Sequence, residues 1–266
     1  MTLAGSVAVV TGAGGDGCGR AIASRLARDG AVVVVSDIDE NGGRETVRLI
    51  EESGGRAAFR AADVRVREQV RVLLAFAEET FGPLGILVNN ASAPFRPEEP
   101  LEHWEETVQT DLLGTVYGTR LAIEAMRGRG GAIVNISSIS ALWHGRKGGW
   151  PPYETAKAGV LRLTTMLGWL AEKENIRVNC LAPGWIASAQ VRAFWEPLTP
   201  EQRRAYGAPS RLLQVEEVAA AVVRLATDDS LSGRILVWWS EDTPGLIPWT
   251  DRGYAALAED ESLGRG

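Results

Sequence analysis

A regular alternation constrains this chain more than any other feature. Short runs rich in β-branched residues are separated by longer amphipathic segments. The runs are Val7–Val10, Val32–Ser36, Ala57–Ala61, Ile86–Asn89, Ala132–Ser137, Arg177–Ala182 and Ile235–Trp238. Between them, helical spacing is expected over Arg20–Asp29, Gly43–Ser53, Val66–Phe81, Leu101–Met126, Tyr153–Glu172 and Val215–Asp228. A near-continuous apolar run such as Ala31–Val35 suits only a strand covered on both faces. Strands alternating with helices predict an α/β fold, a doubly wound parallel sheet of about seven strands. Right-handed crossovers put every strand's C-terminal end on one edge, where ligands bind at the switch of strand order.

At 266 residues, with no repeat and no linker, residues 1–266 are expected to form one Rossmann-type domain. The longest irregular segment, residues 185–214, contains three prolines and scattered aromatics and reads as a candidate lid. A net charge of −6 leaves no basic footprint for nucleic acid. No apolar stretch approaches the ~18 residues of a membrane span. The chain runs almost directly into Val7–Val10, a start with no room for a signal peptide. Two cysteines, Cys18 and Cys180, make no disulfide framework, and two histidines, His103 and His144, make no zinc site. The expectation is a soluble, cytoplasmic protein without a metal.

The first strand leads into Thr11–Ala23, TGAGGDGCGRAIA. Glycines Gly12, Gly17 and Gly19 at a strand-to-helix turn serve backbone geometry alone, or they bring free N–H groups and a positive helix end up to a phosphate. Asp37 closes the second run eighteen residues beyond Gly19. A carboxylate there suits the two hydroxyls of an adenosine ribose; otherwise it is a strand-end turn former.

From Val7 to about Gly233 the chain resembles the short-chain dehydrogenases/reductases. That family has TGxxxGxG in the glycine turn, and the spacing here is one residue longer. Asp63-Val64 resembles the pair that contacts the adenine. Asn89-Asn90-Ala91-Ser92 resembles the family's NNAG, with serine for the last glycine. Pro183-Gly184-Trp185-Ile186-Ala187-Ser188 resembles PGxxxT, in which backbone and hydroxyl receive the nicotinamide carboxamide. The resemblance therefore implies a nicotinamide cofactor held by Gly12, Asp16, Gly17, Cys18, Gly19, Asp37, Asp63, Val64, Asn89, Asn90, Ala91, Tyr153, Lys157, Pro183, Gly184, Ile186 and Ser188. Asp37 followed by Ile38, with Asp16 in the turn, favours NAD, because an added 2′-phosphate would meet two carboxylates. Asp16 is also placed to cap the helix that follows.

Ile133–Ser138 and Tyr153–Lys157, IVNISS and YETAK, carry the chemistry. Tyr-x3-Lys puts both side chains on one helix face. A phenol with a pKa near ~10 is a poor base at neutral pH until a nearby ammonium favours the phenolate. Tyr153 then takes an alcohol proton while hydride leaves the same carbon, and Ser138 hydrogen-bonds the substrate oxygen. In the family the matching serine, tyrosine and lysine do this work, and the lysine also holds the nicotinamide ribose.

Several positions depart from the family. Asp111 stands where it usually has an asparagine that holds a water linking the lysine to solvent. We expect the relay to survive there, with the carboxylate steadying Lys157; the plain alternative is that Asp111 accepts helix or turn hydrogen bonds only. The interval from Ser138 to Tyr153 is long, so Trp143, His144 and Trp150 reach the substrate, or else the tryptophans pack against a subunit neighbour and the histidine is solvated. Trp185, Phe194 and Trp195 in the candidate lid favour an apolar secondary alcohol or ketone, ring-containing or long-chain; the plain alternative is that they only pack against the body. Where the family usually has DGG after the last strand, residues 238–245 read WWSEDTPG, and a divergent tail, residues 240–266, follows to the end of the chain. Trp238, Trp239, Trp249 and Tyr254 in this region cover either the site or an interface. Family resemblance implies a homodimer or homotetramer. Two other functions share the fold: a non-catalytic NAD-binding redox sensor, and an NAD-assisted epimerase or lyase.

Overall fold

The computed structural model describes residues 2–249 apart from 95, 97, 98, 100 and 144–148. His144, Tyr254 and most of the tail thus lie outside the described residues. The chain alternates β1 (Val7–Thr11), α1 (Cys18–Arg28), β2 (Val32–Ser36), α2 (Glu40–Glu52), β3 (Arg56–Phe59), α3 (Arg67–Phe81) and β4 (Leu84–Asn89). There follow α4 (Trp104–Thr107), a π-helical segment (Val108–Gly114), α5 (Thr115–Met126), β5 (Gly131–Ile136) and a 3₁₀ turn (Ile139–Leu142). The second half adds α6 (Pro151–Met166), α7 (Leu170–Glu174), β6 (Ile176–Pro183), α8 (Ala189–Trp195) and α9 (Pro200–Tyr206). It closes with α10 (Val215–Thr227), β7 (Ile235–Trp238) and β8 (Gly245–Leu246).

The strands form one sheet in the order β3-β2-β1-β4-β5-β6-β7-β8. All pair in parallel except β8, which runs antiparallel to β7. The eighth strand is one more than the sequence suggests. Two residues long and close behind β7, it carries no period-2 signal of its own.

Period-2 alternation explains the layering. Ala8, Val10, Val33, Val35, Ile86 and Val88 pack with Ile22 and Leu26 of α1 and Val218, Val222 and Leu225 of α10. Val7, Val9, Val34 and Leu87 face the other way, onto Val70, Leu73 and Leu74 of α3 and Leu121 and Met126 of α5. Strand order reverses between β1 and β4, so the crevice there is the expected ligand site of a doubly wound sheet.

Two expected helices are divided. The one predicted over Leu101–Met126 begins at Trp104 and widens into the π-helical segment at Val108–Gly114. The one predicted over Tyr153–Glu172 starts two residues earlier, with Pro151 in its first turn, where proline's fixed φ is favourable. It ends at Met166 and resumes as α7. Between the two, the Gly168 carbonyl accepts from Ser232 Oγ at 3.0 Å, so this break docks onto the loop before β7.

Candidate active site at the C-terminal sheet edge

The glycine turn is shaped by close backbone approaches. Gly12 has φ +65°, and a Cβ there would lie 2.6 Å from Ala91 Cα. A Cβ on Gly19 would lie 2.1 Å from the Gly12 carbonyl oxygen. Thr11 Oγ1 accepts from the backbone N–H groups of Asn90 (3.1 Å) and Ala91 (3.2 Å), and Asn90 Nδ2 donates to the carbonyls of Thr11 and Gly12. Arg20 fixes the outer side, donating from Nη2 to Gly14 O at 2.7 Å and from Nε to Thr46 Oγ1 at 2.9 Å. Thr11 is the threonine of the TG that opens the turn, whereas Arg20 and Thr46 have no signature of their own in the sequence, because their partners lie on other elements.

The N-cap of α1 is Gly17, which brings no side-chain cap. Asp16 is exposed and makes no cap bond, so the capping role expected of it is corrected: the helix starts at Cys18, two residues beyond the acid, and Asp16 Oδ atoms do not serve its free N–H groups. Those groups therefore suit an external anion. Asp37 stands beside the turn at the end of β2. Its Oδ2 accepts from Gly14 N at 2.7 Å and its Oδ1 from Asp39 N at 3.0 Å. Each oxygen keeps a further lone pair for a ribose hydroxyl. These residues fit a dinucleotide.

The other cofactor positions divide by how their side chains are used. Asn89 is buried, and its Nδ2 donates to Thr119 Oγ1 (3.1 Å) and Asn135 Oδ1 (2.9 Å). Asn135 Nδ2 in turn donates to Thr164 Oγ1 at 3.0 Å. Asn89 and Asn90 thus spend their amide donors inside the protein. Asp63 pairs with Arg65 at 2.7 Å, and this hydrogen bond holds its carboxyl below the usual carboxylate range. Val64 packs on Gly114. Cys18, the first residue of α1, has its thiol pushed up to about 12 by burial. Ser188 lies opposite Gly17 and caps α8 by accepting from Val191 N at 3.3 Å. Pro183 ends β6, and Gly184 N donates to Trp238 O at 2.8 Å.

From Gly184 the chain leaves the sheet and returns through a bridge between Ile186 and Leu213. The candidate lid thus carries two short helices, α8 and α9, where the sequence showed only irregular punctuation. Trp185, Phe194 and Tyr206 form a ring-to-ring chain with centroids 6.0 Å and 5.6 Å apart. Trp195 is tied inside the lid, its Nε1 donating to Pro209 O at 2.9 Å and its ring under the Arg203 guanidinium at 3.4 Å. Trp143 meets Trp239 edge-on at 6.0 Å, and its ring lies beside Gly207 at the end of α9.

Ser138, Tyr153 and Lys157 converge past the end of β5. The Ser138 hydroxyl shares a hydrogen bond with Tyr153 and accepts from Ser140 N and Oγ at 3.2 and 3.0 Å. Lys157 Nζ lies 5.4 Å from the centroid of the Tyr153 ring and donates to Ile136 O at 3.1 Å. Ser137 Oγ bonds the Lys157 carbonyl at 2.8 Å, fastening α6 to β5. Trp150 stacks on Tyr153, centroids 5.4 Å apart and planes 9° from parallel. Burial raises the Tyr153 phenol, opposed by the Lys157 ammonium and assisted by Asp111; the net direction is up. For Lys157, burial works to lower the ammonium, but Asp111 and Tyr153 outweigh it and hold it above its ordinary value. Asp111, in the π-helical segment and fully buried, pairs with Lys157 Nζ at 2.8 Å.

The short-chain dehydrogenase family model matches residues 6–198. Cis-4-hydroxycyclohexanecarboxylate dehydrogenase of Sinomonas cyclohexanicum is 37% identical over 258 residues, 94% of this chain and 97% of that protein. L-fucose dehydrogenase of Oryctolagus cuniculus is 37% identical over 241 residues, covering 85% and 81%. A solved structure from Sinorhizobium meliloti 1021, provisionally named a short-chain alcohol dehydrogenase, superposes with a TM-score of 0.79 at 33% identity over 89% of this chain and 96% of that one. A sheet wound about a glycine turn, with similarity along most of its length to enzymes that act on alcohol groups, places this chain in the short-chain dehydrogenase/reductase family of oxidoreductases.

Proposed function

We propose that the protein is a cytoplasmic NAD-dependent dehydrogenase for a secondary alcohol carried on a saturated, largely apolar ring, with the corresponding ketone as product. The observation that carries this reading is the convergence of Ser138, Tyr153 and Lys157 at the sheet edge that also holds the glycine turn and Asp37. A bound NAD would supply the hydride acceptor. The chain's own residues do the rest. Gly12, Gly17 and Gly19 would give the pyrophosphate room, and Asp37 would accept from the adenosine ribose. Ser138 hydrogen-bonds the substrate oxygen. Tyr153, as phenolate, takes the hydroxyl proton as the C–H bond breaks, and the electron pair of the O–H bond closes the carbonyl. Lys157, whose ammonium Asp111 and Tyr153 favour, supplies the positive charge that makes the phenolate accessible.

Two supports narrow the substrate. The aromatic chain Trp185–Phe194–Tyr206 of the lid region and the Trp143–Trp239 pair offer flat apolar surfaces. One relative is named for an alcohol on a saturated six-membered ring, cis-4-hydroxycyclohexanecarboxylate. A homodimer or homotetramer fits the exposure of Met166 (54%) and Trp169 (53%), large apolar side chains beside the break after α6.

The test is a panel of cyclic and open-chain secondary alcohols, followed by absorbance of the reduced nicotinamide with NAD and NADP in parallel. Tyr153→Phe is expected to bind NAD yet lose about 100- to 10,000-fold in kcat. Full turnover by Tyr153→Phe, or a preference for open-chain alcohols, overturns the corresponding part.

A further inference from the structure

Two of the positions that break the family's pattern touch each other. Ser92 stands where a glycine is usual and Asp111 where an asparagine is usual, nineteen residues apart, and the Ser92 hydroxyl donates to Asp111 Oδ1 at 2.5 Å. The same Oδ1 receives Lys157 Nζ at 2.8 Å. Asp111 Oδ2 accepts from Ala93 N at 2.9 Å. Three donors thus converge on two oxygens. An amide at position 111 has one acceptor and one donor nitrogen, so one side of this nest would face donor against donor. The surroundings are built for a carboxylate. The wide π-helical turn brings Asp111 to this point, and Thr115 Oγ1 holds its backbone carbonyl at 2.9 Å.

We propose that Ser92 and Asp111 act together as a positioning device for Lys157: the carboxylate balances the buried ammonium directly, and the Ser92 hydroxyl holds the carboxylate in the orientation that does so. This rests on the reading of Tyr153 as the base. Among the described residues, the groups facing Tyr153 are Lys157, Asp111, Cys18 and Ser138, and Cys180 also faces Lys157. Burial pushes both thiols up to about 12, so they stay neutral through the working range. Of those groups, only Asp111 brings a negative charge to set against Lys157. It therefore restrains how strongly the ammonium favours the Tyr153 phenolate, and it joins Lys157 by side chains to an exposed hydroxyl. A water-linked asparagine would do neither.

The experiment is a tyrosinate absorbance titration of the whole protein, taking the difference between each variant and the same variant carrying Tyr153→Phe; the chain has four tyrosines, so the difference isolates one. It needs no substrate. In Asp111→Asn the Tyr153 midpoint is expected to fall by about one unit or more, with the alkaline limb of alcohol oxidation moving the same way. An unchanged or raised midpoint overturns the proposal. Should Asp111→Asn fail to fold, Ser92→Ala carries the test: a smaller fall in midpoint and a loss in kcat, both restored in Ser92→Thr. Ser92→Ala identical to wild type in both readouts overturns it equally. Turnover surviving in Tyr153→Phe would instead sink the base assignment, while the titration still reports on Asp111.

Discussion

The choice between NAD and NADP can be worked from the geometry around Asp37. Both its oxygens accept from backbone N–H groups of the turn and the next helix, so the carboxylate is fixed beside Gly14. A 2′-phosphate on the adenosine ribose would lie a few ångströms from it. Two unit charges 4 Å apart cost about 1 kcal/mol in water and about 4 kcal/mol at an effective dielectric of 20. The site is half open, so the penalty falls between, and exposed Asp16 adds to it. At about 1.4 kcal/mol per tenfold, NAD is expected to be preferred by about tenfold or more in kcat/KM. Arg20 does not reverse this, because its guanidinium is committed to Gly14 O and Thr46. The perturbation is Asp37→Ala with Ile38→Arg. Ile38 is 70% exposed, so arginine there disturbs no core. Removing the carboxylate deletes charged hydrogen bonds to the ribose, each worth about 1.5–3 kcal/mol, and lowers NAD efficiency by about 10- to 100-fold. The new cation raises NADP efficiency, so the ratio inverts. Steady-state kinetics with both cofactors, plus a melting curve to confirm folding, checks this. Equal efficiency of the wild type with NAD and NADP would refute the electrostatic reasoning outright.

Other outcomes follow from the same structure. Gly19→Ala drives a Cβ to 2.1 Å from the Gly12 carbonyl and is expected to abolish NAD binding by calorimetry, whereas Gly15→Ala, open around its Cα, leaves binding intact. Folded-state values raised by burial make stability fall as pH rises. The Cys18 and Cys180 thiols move from 9.0 to about 12, so their contribution is complete below pH 9 and is lost as pH climbs toward 12. Denaturant melts between pH 8 and 11 are expected to show this decline, and Cys180→Ala to flatten it; an equal slope in the variant contradicts the assignment to Cys180.

Much of the fold was legible because the signals were local. The apolar runs found β1, β2 and β4 to β7 within two residues, since a strand buried on both faces needs an uninterrupted apolar stretch. What local reading missed depended on partners far along the chain. The helix expected over Leu101–Met126 has continuous spacing, yet it holds a π-helical turn. There Asp111 answers to Ser92, Ala93 and Lys157, none of them on its own helix. The break at Gly168 is set by the loop before β7 in the same way.

The candidate site divides along the same line. Glycine turn, Asp37 and Tyr-x3-Lys could be named from spacing, because each is a short segment whose geometry its own backbone dictates. Asn89 and Asn90 look like cofactor contacts in sequence, but their amides prove to brace β4 against β5 and β1. Asp16, read as a cap, misses the role because the turn is one residue longer than the family's and α1 begins after Gly17. Ser92 and Asp111, taken singly, are two unrelated departures from a motif. A buried carboxylate costs desolvation unless it is paired and hydrogen-bonded. Here Lys157 pairs with it, and the Ser92 hydroxyl and Ala93 N hydrogen-bond it. Two departures that read as unrelated along the chain thus bear on one carboxylate, and only the distance between them reveals it.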